Sequence, residues 1–191
     1  MKKIVGIGIG LLVIAGVAGI LLIQGSHEDK PDTSGKKTAS QNSSDFKVVD
    51  ACAVVTQAVA DTVLGAGAEK GVSNGDTSTD DINVSTCTYT LDTNTGLPIS
   101  ADKIKSLTLL ARSAKTAEGI DSNAMQLSEE KPAGAESVSG YGTGAYWDPQ
   151  YGQLNIFKNG NWYILTSGSG TLTVRTLDEA KQFADQIITQ L

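Results

Sequence analysis

The first hydrophobic pattern along the chain is an apolar run at residues 4–23 that contains no charged side chain. As a helix it would be about 30 Å long, the thickness of a bilayer's hydrocarbon core. Two lysines precede this run and two acidic residues follow it closely. Because basic flanks stay on the cytoplasmic side, the rest of the chain should lie outside. Residues 1–23 are therefore predicted to be a transmembrane signal-anchor of a single-pass cell-membrane protein with a cytoplasmic N-terminus.

A cleaved signal peptide is the alternative. Gly16-Val17-Ala18 resembles a cleavage site, although the apolar run continues beyond it. Signal peptides have shorter apolar regions that end at such a site. The pattern favours an uncleaved anchor, and cleavage would make the protein secreted.

Residues 24–45 contain no apolar side chain larger than alanine. Such a segment cannot offset its ordering entropy by burial, so a disordered polar linker is predicted. The domain should then occupy residues 46–191. Its patterns alternate with the periods of strands and helices, and they predict an α+β fold in which two to three helices pack on a mostly antiparallel sheet of about five strands. The predicted helices are at 50–65, 116–127 and 176–191, and the predicted strands are at 84–91, 104–113, around Tyr146, 153–158 and 161–167.

The most aromatic segment, residues 140–165, contains a predicted hairpin. Asn159-Gly160 suits a two-residue turn with positive φ at both positions, and this turn fixes the register. Phe157 should then pair with Trp162, and Ile156 should pair with Tyr163. Alternation places Leu154, Ile156, Tyr163 and Leu165 on a core face and Phe157 and Trp162 on the other face.

That second face is the candidate binding surface. Phe157 and Trp162, with Tyr146 or Trp147 alongside, would form a docking patch if they were exposed. The alternative is that the C-terminal helix covers them, and this alternative is favoured.

The net charge is −6, and no stripe of Lys and Arg is present. Phosphate backbones need clustered cations, so no nucleic acid partner is expected. The two cysteines, Cys52 and Cys87, follow an export segment and lie too far apart for a C-x-x-C redox motif. They are predicted to form a structural disulfide.

The only histidine, His27, lies in the predicted linker. Catalytic triads, Cys-His dyads and histidine zinc sites need an imidazole inside the fold, so these classes are excluded. No cofactor and no metal site are expected, and the acidic loop at residues 73–81 is read as solvated. A carboxylate pair such as Asp148 and Glu136 remains conceivable for glycan hydrolysis, but no spacing singles these residues out.

Several short segments together resemble the envelope lipoproteins of unknown function that are common in actinobacteria. These segments are "CAVVT" and "VLG", then "CTY", "GYGTGAYW" and "GQLNIFKNGNWYIL", followed by an amphipathic C-terminal helix. The chain differs in lacking a cysteine for lipid attachment after its apolar run. The resemblance implies an exported α+β domain with a disulfide, and it implies no catalytic residues.

The sequence therefore predicts a membrane-anchored extracytoplasmic binding domain rather than an enzyme. Its partner would be an envelope protein, a peptide or a glycan. Two alternatives stay open, namely a secreted carboxylate-dependent glycan hydrolase and a structural cell-surface protein without a ligand.

Overall fold

A computed structural model describes residues 46–71, 77–94, 100–170 and 174–191. Within these ranges the fold is α+β, as predicted. No helix in them is both long and apolar enough to span a bilayer. The predicted anchor at 1–23 and the predicted linker at 24–45 lie outside the described residues.

The described residues form four α-helices and a sheet of eight strands. The helices are α1 (Ala51–Val54), α2 (Gln57–Leu64), α3 (Ala117–Glu129) and α4 (Leu177–Ile187). The strands are β1 (Glu69–Lys70), β2 (Thr77–Ser78), β3 (Ile82–Asp92), β4 (Ile104–Ala114), β5 (Glu136–Ser137), β6 (Gly144–Asp148), β7 (Gln153–Lys158) and β8 (Asn161–Ser169). A short 3-10 helix, Ala101–Lys103, precedes β4.

Every strand pairing is antiparallel, in the order β1-β3-β4-β8-β7-β6-β5, with β2 also paired to β3. The predicted count of about five strands matches the longer strands only. The sequence missed β1, β2 and β5, because a strand of two residues is too short to show alternation.

The helix predicted over residues 50–65 is two helices. Val55 and Thr56 leave the helical conformation, and the Thr56 hydroxyl then caps α2 by accepting from the Val59 N–H. β-Branched side chains weaken a helix at this point, and threonine is a good N-cap. The described residues therefore contain four α-helices rather than the predicted two to three.

The β7–β8 hairpin confirms the predicted register. Phe157 pairs with Trp162 and Ile156 pairs with Tyr163. Asn159 and Gly160 both have positive φ, at 54° and 77°, as a two-residue turn of this type requires.

One face of the sheet carries the main core. α1, α2 and α4 pack on this face, and α4 begins with the predicted capping box between Thr176 and Glu179. The buried sheet residues of this core are Cys87, Tyr89, Leu107, Leu109, Ala111, Trp147, Leu154, Ile156, Tyr163 and Leu165. The predicted disulfide is also present, and Cys52–Cys87 joins α1 to the middle of β3.

α3 packs on the opposite face, against β4, β7 and β8. Gly119 allows this approach, since a Cβ there would collide with the Asp81 carbonyl oxygen. The expectation that the C-terminal helix covers Phe157 and Trp162 is therefore wrong, because α4 lies on the core face. The covering helix is α3, and we call this side of the sheet the α3 face.

Candidate functional site

The four aromatic residues predicted to bind a partner do not form an exposed patch. Trp147 is on the core face with α4, whereas the other three are on the α3 face. Trp162 is 2% exposed, Tyr146 is buried and Phe157 is half-buried. Three of the predicted residues thus share a face, but their rings offer little open surface as a group.

Trp162 is held on both its ring face and its edge. The Arg112 guanidinium lies 5.5 Å from the ring centroid. The indole Nε1 donates a 3.0 Å hydrogen bond to Asn155 Oδ1. A buried indole N–H needs such a partner, so Asn155 is required by the packing of Trp162.

Asn155 also lines a cleft of about 220 Å³ on the α3 face, which we call the tyrosine cleft. Its walls come from the C-terminal end of α3, from β6 and β7, and from the turn between these two strands. The residues lining it are Glu130, Tyr146, Asp148, Tyr151, Gln153 and Asn155. Of the four predicted binding residues, Tyr146 lines this cleft.

Tyr146 is a neutral phenol at physiological pH. Desolvation by burial raises its pKa to about 12, and the charges of Glu130 and Asp148 act in the same direction. The Lys131 ammonium lies 5.6 Å from the ring centroid, within the range of a cation–π contact. The cleft therefore places an uncharged aromatic hydroxyl near two carboxylates, and the Lys131 ammonium lies against the Tyr146 ring.

Asp148 shapes the turn that carries Tyr151. Its Oδ1 accepts from the Gln150 N–H at 2.8 Å and from the Tyr151 N–H at 3.3 Å. Tyr151 itself is 49% exposed. An aspartate that caps a turn in this way fixes the backbone from which the exposed ring projects.

Asp148 and Glu136 do not form a carboxylate pair. Glu136 is directly across from Trp147 in the β5–β6 pairing, so both belong to the core-face side of the sheet. Asp148 follows Trp147 and points to the other side. The second acid in the tyrosine cleft is Glu130, from the end of α3.

The cleft offers ring surface, two amides, two phenol hydroxyls and two carboxylates. This combination can hold a polar ligand by stacking and by hydrogen bonds. Within the four described ranges, no group of three or more His, Cys, Asp or Glu side chains is placed to hold a metal ion.

Sequence reasoning missed Glu130, Tyr151, Gln153 and Asn155 as site residues. Gln153 and Asn155 could have been predicted, because polar residues two positions apart on a strand mark its non-core face. Glu130 offered no signal, since only the tertiary fold brings the end of α3 to β6.

Comparison with known proteins finds no matching family model, no matching curated protein and no matching solved structure. The resemblance to envelope lipoproteins stays a prediction.

Proposed function

We propose that this protein is a membrane-anchored extracytoplasmic domain that binds a glycan in the tyrosine cleft and does not transform it. The observation that carries this proposal is that the exposed Tyr151 and the buried Tyr146 line one cleft together with two amide side chains, Gln153 and Asn155. Sugars present C–H faces that stack on aromatic rings and hydroxyls that pair with amides and carboxylates.

The size of the cleft supports a saccharide rather than a folded partner. Its volume of about 220 Å³ is near the lower end for small-ligand pockets. A stable protein interface needs roughly 1,000 Å² of buried surface. This cleft is a small concavity lined by six residues. One or two sugar rings match this scale.

The geometry does not support hydrolysis by the Asp148 and Glu136 pair. Two backbone N–H groups occupy Asp148 Oδ1, and Glu136 lies on the other side of the sheet. A hydrolase needs two carboxyl groups that flank one glycosidic bond. The pair considered from the sequence does not have that arrangement.

Two features support the extracytoplasmic location. Disulfides persist in oxidising compartments, and Cys52–Cys87 is formed. The apolar run at 4–23 has the length of a bilayer span, with lysines before it.

The test uses the full chain in a polyoxyethylene detergent, which carries no sugar that would compete. Calorimetry would measure binding of short oligosaccharides of glucose, mannose or N-acetylglucosamine. Tyr151→Ala should weaken binding at least about tenfold, which corresponds to about 1.4 kcal/mol. Met125→Ala is the matched control, because Met125 is another exposed large apolar side chain, 54% exposed on α3.

Three results would contradict the proposal. One is the absence of oligosaccharide binding, and another is binding that Tyr151→Ala leaves unchanged. The third is release of shorter sugars during incubation, which would favour the hydrolase. Protease protection of residues 46–191 in sealed right-side-out cells would separately contradict the location.

A further inference from the structure

A second cleft on the α3 face, of about 380 Å³, is lined by a single cation, Arg112. Arg112 is on β4, between Val84 of β3 and Trp162 of β8. Hydroxyl side chains form much of the lining, namely Thr77 and Ser78 of β2, Thr79 just after β2, and Ser122 of α3. We call this the arginine cleft, and it shares no lining residue with the tyrosine cleft.

The Arg112 guanidinium is held in place by two contacts. Its plane is near the Trp162 ring, 5.5 Å from the centroid, and its Nε donates to Asn123 Oδ1 at 3.3 Å. Asn123 is fully buried, and its Nδ2 donates to the carbonyl oxygens of Arg112 and Gly160 at 3.0 and 3.1 Å. A fixed guanidinium loses little rotamer entropy when a ligand binds.

The Nε bond uses one of the five guanidinium donors. Of the residues in the four described ranges, none accepts a hydrogen bond from Nη1 or Nη2. A planar fork of N–H donors matches the two oxygens of a carboxylate or phosphate group.

The one acid lining the arginine cleft is already engaged. Asp81 Oδ1 accepts a 2.7 Å hydrogen bond from the Thr116 hydroxyl. A second cation stands beside the cleft, because Lys115 Nζ donates to Ser78 Oγ and to the Thr79 carbonyl oxygen. Among the described residues that line the cleft or bond to its lining, two are cations and one is a hydrogen-bonded carboxylate.

We propose that the arginine cleft binds the oxyanion group of a small ligand, a phosphate or a carboxylate, through the Arg112 guanidinium. The hydroxyls of the lining add donors around the same group. The volume exceeds what one oxyanion needs, so the ligand carries a further polar part that these hydroxyls contact. This site is independent of the glycan proposal.

The experiment titrates the full chain, in non-ionic detergent, with inorganic phosphate and, in a separate arm, with acetate. Calorimetry measures the affinity for each anion. Saturable binding in one arm identifies the oxyanion, and Arg112→Gln should weaken it at least about tenfold. The affinity of Arg112→Lys should lie between those of the parent and Arg112→Gln, since an ammonium keeps the charge but lacks the planar set of N–H donors. Lys105→Gln is the control, because Lys105 is an exposed cation on the same strand that lines neither cleft, and it should leave the anion affinity unchanged.

The proposal is overturned if neither anion binds saturably, or if folded Arg112→Gln binds as tightly as the parent. If Arg112→Gln does not fold, the anion affinities of Ser122→Ala and Lys115→Gln test the proposal instead. Each should weaken binding at least about threefold, and unchanged affinity in both would equally reject the site.

Discussion

The indole of Trp162 donates a 3.0 Å hydrogen bond to the Asn155 side chain, and both residues are buried. The same indole carries the Arg112 guanidinium on its face. One aromatic side chain therefore positions a residue of each cleft, Asn155 in the tyrosine cleft and Arg112 in the arginine cleft.

Trp162→Phe should remove the hydrogen bond and leave Asn155 Oδ1 without its donor. An unsatisfied buried acceptor costs about 1–3 kcal/mol, and the smaller ring adds a packing loss. Urea denaturation would measure the change. Replacing both partners, as Trp162→Phe with Asn155→Leu, should recover part of the loss. A double variant no more stable than the single one would argue against this origin.

Removing the disulfide should destabilise the domain strongly. Cys52→Ser with Cys87→Ser opens a loop with a sequence separation of 35, which the loop-entropy treatment values at about 4 kcal/mol. The expected result is a lower urea midpoint, with a decrease in the free energy of unfolding of about 4 kcal/mol. Cys52→Ala with Cys87→Ala is the companion variant without buried hydroxyls. Equal stability of the oxidised and reduced parent protein would contradict the prediction.

Gly119→Ala should destabilise, although alanine normally favours a helix. The added Cβ would meet the Asp81 carbonyl oxygen and push α3 away from the sheet. A loss of about 1–3 kcal/mol is expected, typical of overpacking. Gly134→Ala is the control, because a Cβ there meets nothing within 4 Å. Thermal unfolding of both variants would decide, and a Gly119→Ala protein as stable as the parent would show that α3 does not pack this closely.

Alkaline pH should weaken the fold through two tyrosines, the buried Tyr146 and the partly buried Tyr141. Burial raises the pKa of Tyr146 and of Tyr141 to about 12, from 10. A pKa that is higher in the folded state gives stability that is complete below pH 10 and is lost as pH rises towards 12. Unfolding free energy should therefore fall over this window. Tyr146→Phe should make the fall shallower, as followed by urea denaturation at increasing pH, and an unchanged slope would contradict the assignment.

The elements that sequence predicts well are those with local causes. The Asn159-Gly160 turn sets the hairpin register, and the Thr176 and Glu179 pair starts α4, without help from distant residues. Their chemistry is contained within a few positions, so a sequence pattern is sufficient to find them.

The covering of the α3 face could not be predicted in the same way. The fully buried residues of α3 are Gly119 and Asn123, which are small or polar. Hydrophobic periodicity therefore carries no sign that this helix packs on a sheet. The clefts could not be predicted for a related reason, since Glu130 and Ser122 line them only because of where α3 packs.

The start of the domain is joined to the sheet at several closely spaced points. The Val49 and Ala51 N–H groups donate to Ser113 Oγ and Ser85 Oγ, and Cys52 is bonded covalently to β3. Mechanical tension arriving from the N-terminal side would thus reach the middle of β3 through the sulfur bridge. α1 would not have to unravel to transmit it, and the β3–β4 ladder would carry the force instead.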